Sequence, residues 1–455
     1  MSKVNRISVL DLVSNVIIGP SSSHTAGAAK IGFEAFKYLG ETPKKVSIKL
    51  FNSFSDTGAG HKTDLAILGG CIGIDYSSED LLKSREIARQ KGVTFKIKWG
   101  YKSQKLHSNT AIIKMEGEKT KVGVVGYSIG GGRIMIVKKM KNRLGGKIEK
   151  EDCNDSVLDK KVKKQTYFTV SEVFSKVKSK EELINFIVEK EEESSKTTRK
   201  EQFDKLRIAL CVMKESSKKG LENSERSEDN LFGGDSVKVL NSKLGILSNF
   251  TKKSVALAIA ASENNARMGR IVACPTAGAS GVIPGFVGGL IESGKFTEEE
   301  ILESLLVAGF FGASIASRVD LAGSVAGCQA EIGVAGAMAA AMGGFLFGDD
   351  LSTIESSASL VLSNLLGLTC DPVLGRVEVP CILRNGIVCS MAIAATEMAI
   401  SGIKYPISFD EIVESMKYTG EKMDETLKET SLGGLAITRT AKNLLKTCLH
   451  KNSVK

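Results

Sequence analysis

The chain changes its hydrophobic period once, across a short charged stretch, and that change limits which architectures it can adopt. Before it, Val46-Ser-Ile-Lys-Leu-Phe, Val93-Thr-Phe-Lys-Ile-Lys-Trp, Thr110-Ala-Ile-Ile-Lys-Met, Val122-Gly-Val-Val-Gly-Tyr and Arg133-Ile-Met-Ile-Val are alternating or β-branched runs that read as strands. Helical candidates lie between them at 26–39, 62–71 and 78–90. After Tyr167 the pattern becomes helical at 171–178, 180–190 and 198–215 and continues as an Ala/Gly/Met/Ser-rich region, whose small residues let helices pack closely. Between the two, Lys, Asp, Glu and Asn dominate, and such a segment cannot bury enough apolar surface to pack firmly. The expectation is a multidomain chain: an α+β domain over 1–143, a charged linker over 144–165 and an all-α domain over 166–455.

A chain of 455 residues can fill two or three such cores. The net charge of +10 resembles a nucleic-acid signal, but much of the lysine falls between Lys138 and Lys219, interleaved with glutamate, as on a solvated face. No nucleic-acid partner is expected, and a basic protein binding acidic partners through that region is the distant alternative. Nine cysteines without an apolar leader behind Lys3 and Arg6 point to a reducing cytoplasm and to thiols that are free, buried or metal-bound. The longest uncharged run, Ile271 to Ile291, is long enough for a membrane span but carries two prolines and five glycines. Like Ile332 to Gly348, it reads as buried helix and turn, so no membrane partner is expected.

Three of the four histidines lie in loops rich in small polar residues. In Ile18-Gly-Pro-Ser-Ser-Ser-His-Thr-Ala-Gly, the residues Ser21, Ser22, Ser23, His24 and Thr25 open a helix, where free N–H groups and hydroxyls suit a carboxylate or phosphate. His61 follows the small-residue turn Gly58-Ala-Gly, and His107, Asn109 and Thr110 stand at the entry to a strand. Taken together these loops suggest one pocket. The Ser128-Ile-Gly-Gly-Gly-Arg turn lacks the context of a dinucleotide fingerprint and carries little weight. In the helical half, Asn264, Asn265, Arg267, Thr276 and Ser280 form a polar island whose burial is costly unless they bond to one another or to a ligand.

Cys71, Cys211, Cys274 and Cys389 sit among apolar or small residues and read as buried small hydrophobes. Cys328, Cys370 and Cys381 each border a polar or proline-containing turn. They form no closely spaced zinc pair, but three thiolates would leave one corner of a [4Fe-4S] cluster open.

With these motifs in order, the chain resembles the iron–sulfur L-serine dehydratases (L-serine ammonia-lyases) over nearly its full length. The resemblance rests on Gly19-Pro-Ser-Ser-Ser-His-Thr-Ala-Gly, Gly58-Ala-Gly-His-Lys-Thr-Asp, Gly269-Arg-Ile-Val-Ala-Cys-Pro-Thr-Ala-Gly, Gly327-Cys-Gln-Ala-Glu, Cys370-Asp-Pro-Val, Val377-Glu-Val-Pro-Cys and Ser431-Leu-Gly-Gly-Leu-Ala. It implies a [4Fe-4S] cluster on Cys328, Cys370 and Cys381, His61 as the base, and Ser21–Thr25 lining the L-serine site, to which the polar loops and the polar island add His107, Asn109, Thr110, Asn264, Thr276 and Ser280 as candidate substrate contacts. A homodimer is the implied assembly. Ser108 stands where the family usually has proline, no regulatory domain fits in the charged stretch, and the part played by Cys448 in the tail stays open. A pyridoxal-phosphate lyase would run the same reaction, but Ser47-Ile-Lys lacks the phosphate cup beside a Schiff-base lysine.

Overall fold

The N-terminal sheet closes on one face only. In this computed structural model, which describes residues 6–143, 166–243 and 245–453, the first region runs β1 (Asn15–Ile18), α1 (Ala28–Leu39), β2 (Lys45–Asn52), α2 (Ser53–Asp56), α3 (Thr63–Cys71), α4 (Ser84–Gln90), β3 (Thr94–Tyr101), β4 (Asn109–Glu116), β5 (Thr120–Ser128) and β6 (Ile134–Arg143). The five strands lie in the order β3-β2-β4-β5-β6; only β2 and β3 are parallel, joined across α2, α3 and α4. Along β2 the alternation buries Val46, Ile48 and Leu50 in one core with Ile31 of α1 and Ile67 of α3. Glycine sets the depth of that packing: a Cβ on Gly70 would lie 2.0 Å from the Ala29 carbonyl, so α1 and α3 meet at backbone distance. The linker expected at 144–165 lies outside the described residues.

The second region is helical apart from one short strand. Its elements are α5 (Val170–Phe174), α6 (Lys180–Ser195), α7 (Arg199–Glu222), α8 (Asp235–Leu240), α9 (Asn249–Ala266), β7 (Arg270–Ala273), α10 (Val282–Ser293), α11 (Glu298–Ala316), α12 (Gly323–Ala326), α13 (Ile332–Phe347), α14 (Leu351–Asn364), α15 (Cys381–Ile400), α16 (Phe409–Lys422) and α17 (Arg439–Ser453). Thr198, Thr297 and Ser408 start their helices with full capping boxes to Glu201, Glu300 and Glu411.

Helix α13 is the centre of this region. It is buried from Ile332 to Phe345 and packs on α10, α11, α14 and α15 through small residues, as where a Cβ on Gly336 would meet Val388 at 2.6 Å. The segments Cys328–Phe347 and Cys381–Ile400 are long and apolar enough to cross a membrane, and 83% of the first is buried inside the fold. Cys211 differs from expectation. It lies on the outward face of α7, near the exposed Ile208, because local apolar neighbours do not fix which side of a long helix faces the core.

The chain's beginning belongs to both regions. Ile7, Val9, Leu10, Leu12 and Val13 are buried in the helical core, and Glu191 of α6 accepts hydrogen bonds from the Ser8 hydroxyl at 2.5 Å and the Val9 N–H at 3.0 Å. Strand β1 then pairs antiparallel with β7, matching Asn15 with Ala273 and Ile18 with Arg270. This two-stranded ribbon delivers the loop after β1 to the boundary between the regions.

Candidate active site

At that boundary the loop after β1 turns inward. Ser21 is extended and its hydroxyl accepts the N–H of His24 at 3.0 Å; Ser22–Gly27 form a π-helical turn that feeds α1. The Thr25 hydroxyl donates to the His61 carbonyl at 2.7 Å, pinning this loop to the turn that carries His61. Both nitrogens of the buried His24 ring are engaged: Nδ1 with Ser23 Oγ at 2.9 Å, Nε2 with Ser53 Oγ at 3.0 Å and Thr57 Oγ1 at 3.1 Å. Burial, with His61 alongside, holds its pKa well below 6.5.

His61 is bonded at one nitrogen only. Its Nδ1 lies 3.1 Å from the Thr57 carbonyl, and since a carbonyl only accepts, Nδ1 carries the proton and Nε2 presents a lone pair. That Nε2 is buried and has no hydrogen-bond partner, and burial lowers the pKa of the ring to about 4. The Gly58-Ala-Gly turn sets the position: a Cβ on Gly60 would lie 2.5 Å from the Gly375 carbonyl, so the turn rests directly on the segment between Cys370 and Cys381.

The other expected residues divide into two groups. Asn109 reaches across the boundary to Ser324 Oγ at 3.4 Å, and its Oδ1 is buried without a partner. The Ser280 hydroxyl is orphaned too, and the Thr276 hydroxyl faces the Glu331 carboxylate without closing a bond of normal geometry. By contrast, Thr110 Oγ1 donates to the His107 carbonyl at 2.7 Å, and Asn264 donates to the Arg270 carbonyl at 3.2 Å and to Ser216, so these groups are held by the protein itself. His107 stacks on Tyr127 with centroids 5.6 Å apart and accepts the Asn109 N–H at 3.1 Å. Asn265 reaches the boundary, donating to the carbonyls of Pro20 at 3.3 Å and Ala277 at 2.9 Å. The glycine turn after β5, whose sequence carries little functional signal, also packs here: Asn15 donates to the Gly131 carbonyl at 3.1 Å.

Cys328, Cys370 and Cys381 are all buried and lie within electrostatic reach of one another. Cys328 precedes α13, whose Ile332 N–H points at its sulfur, and Cys381 is the first residue of α15. Helix N-termini favour thiolates. Arg384, one turn into α15, hydrogen-bonds Cys328 and is held by the Thr369 carbonyl at 2.9 Å and Asp371 Oδ1 at 3.0 Å. Burial pushes the Cys328 thiol up to about 11 against the pull of Arg384, and pushes Cys370 and Cys381 well above 9 with neighbouring anionic groups adding to the rise. Three buried soft donors, two of them at helix starts, with a guanidinium beside them, fit a metal or cluster that takes thiolate ligands. The side chain of Cys448 lies outside the described residues.

Two acids complete the site, and the sequence reading did not single them out. Burial raises the pKa of both Glu331, to about 7, and Glu429, well above 4.5, and the nearby Glu331 adds to the rise at Glu429. Glu429 Oε1 lies 3.7 Å from His24 Nδ1 and 4.0 Å from His61 Nε2. Glu331 carried a signal, being the only charged residue from 321 to 348, whereas Glu429 sits in an ordinary polar tail.

Residues 178–436 match the family model described as "Serine dehydratase alpha chain" and residues 8–139 the one described as "Serine dehydratase beta chain". A "Probable L-serine dehydratase, alpha chain" from Bacillus subtilis is 38% identical over 281 residues, covering 61% of this chain and 93% of that protein. An "L-serine dehydratase" from Helicobacter pylori is 31% identical over 92% of this chain and 96% of its own length, and "L-serine dehydratase 2" from Escherichia coli is 30% identical over 95% and 98%.

Proposed function

The chain belongs to the serine dehydratase family, and on that premise we propose that it deaminates L-serine to pyruvate and ammonia, with residues 1–143 binding substrate and 166–455 carrying the catalytic thiols. The observation that carries the reading is the buried, unpartnered Nε2 of His61 beside the Ser21–Thr25 loop.

Loss of water from L-serine requires removal of the weakly acidic Cα proton and departure of a poor leaving group. The Ser21–Thr25 turn offers hydroxyls and N–H groups to the substrate carboxylate. The orphaned oxygens of Asn109, Thr276 and Ser280 supply further polar contacts that burial otherwise leaves unmade. His61 takes the Cα proton at Nε2, and the Thr57 carbonyl stabilises the imidazolium through Nδ1–H. Cys328, Cys370 and Cys381 would hold the [4Fe-4S] cluster, which when bound supplies a Lewis acid toward the β-hydroxyl. The enamine left by elimination tautomerises and hydrolyses, releasing ammonia. Protein purified without oxygen should contain iron and sulfide and form pyruvate from L-serine; full cluster content without turnover would refute the assignment.

A further inference from the structure

An amino-acid substrate brings two charges into this site, and the serine-rich turn answers only one of them. Resting on the functional reading above, we propose that the Glu429 carboxylate receives the α-ammonium group of the substrate, with Glu331 behind it as the second acid of the same pocket. Glu429 is buried, and among the described residues no Lys or Arg nitrogen lies within 4.0 Å of either acid. A buried carboxylate without a cation is costly, and a cationic guest removes that cost.

The surroundings suit an ammonium group. Glu429 Oε1 stands 3.7 Å from His24 Nδ1, the ring atom that also holds Ser23 Oγ at 2.9 Å. The carboxylate turn and the acid thus meet at one ring nitrogen, close enough to serve the two charged groups of one α-amino acid. The same Oε1 is 4.0 Å from His61 Nε2, so an ammonium on Glu429 puts the Cα–H bond, one atom away, within reach of the base. An ammonium kept charged by its carboxylate partner also withdraws electrons from Cα and acidifies the proton to be removed.

The backbone holds Glu429 in place. Its φ is +57°, an unusual value for a side chain with a Cβ; its N–H donates to the Cys370 carbonyl at 2.7 Å, and its carboxylate accepts from the Ser324 N–H. Ser324 in turn meets Asn109, so the acid is tied to both regions.

The test compares two ligands on the anaerobic holoenzyme: L-serine, through its KM in pyruvate formation, and 3-hydroxypropionate, which keeps the carboxylate and β-hydroxyl but lacks the ammonium, through its inhibition constant against L-serine. Glu429→Gln, with iron and sulfide content checked, is expected to weaken L-serine binding by about 30-fold or more while 3-hydroxypropionate binds as in the wild type or better. Glu429→Asp, which keeps the charge one methylene further back, is expected to fall between the two for L-serine only. Equal weakening of both ligands in Glu429→Gln would mean that the residue merely shapes the pocket, and unchanged binding of both would place the ammonium elsewhere; either result overturns the proposal. A wild-type protein that neither binds nor deaminates L-serine overturns the functional reading as well. Where the wild type does both, the Glu429 variants alone decide whether the ammonium sits on that carboxylate.

Discussion

The Cys370 N–H donates to the Leu427 carbonyl at 2.9 Å and its carbonyl accepts the Glu429 N–H at 2.7 Å, so Cys370 is paired on both sides with a segment more than fifty residues away. Asp371 strengthens the same clamp. Its Oδ1 accepts Arg384 and its Oδ2 accepts the Leu435 N–H at 2.8 Å, joining α15, the thiol segment and the tail loop through one carboxylate. Asp371→Ala leaves Arg384 without its carboxylate partner beside two thiols and frees the loop. It should destabilise the apoprotein by about 3 kcal/mol, read as a lower urea midpoint, and reduce the iron retained on purification.

The tautomer of His61 gives a second expectation. His61→Ala removes the free Nε2 without touching a thiol, so turnover of L-serine should fall about 10²- to 10⁴-fold while iron and sulfide content stay at the wild-type level. Near-normal turnover with an intact cluster would shift the base to His24 or His107.

The depressed pKa of His61 also fixes a pH dependence. The folded protein gives up this proton near pH 4, against 6.5 for an unperturbed ring. The unfolded chain therefore binds more protons than the folded one between these values, and stability present above pH 6.5 is lost as the pH falls towards 4, by about 3 kcal/mol from this residue. His107, also lowered to about 4 by burial, adds in the same direction. Urea midpoints of the apoprotein should fall steadily from pH 7 to pH 4.5. The acid limb of kcat/KM should lie well below pH 6.5, because the ring stays an unprotonated base through that range.

The five-stranded sheet and the helical second half were legible because each has a sustained period bounded by Gly, Ser or Asn. Strands β1 and β7 were not: each is four residues long, and their pairing is set by tertiary contact rather than by local pattern. The site divides the same way. Ser21–Thr25 and His61 stood out as polar residues in glycine-rich turns. Asn264 and Asn265 look alike in sequence but point about 100° apart on a helix; one is used by Ser216 and the start of β7, the other by Pro20 and Ala277. Glu429 was invisible because its burial comes from the Cys370 pairing.

Two cysteines on one helix make the sharpest test of the ligand set. Cys381 and Cys389 are both buried on α15, two turns apart. Cys381 feels Cys328, Arg384, Glu331 and Glu429, whereas burial is the sole cause of the raised pKa of Cys389, which packs in the apolar core with Val388 and Ala392. Burial alone therefore does not separate a ligand from a core thiol; charged company does. Cys381→Ser, like Cys370→Ser and Cys328→Ser, should lose most of its iron and sulfide and its broad visible absorption. Cys389→Ala should keep all three and lose only the packing of one sulfur, about 1 kcal/mol. Full iron content in Cys381→Ser would remove that residue from the ligand set, and loss of iron in Cys389→Ala would mean that the cluster depends on core packing rather than on three particular thiols.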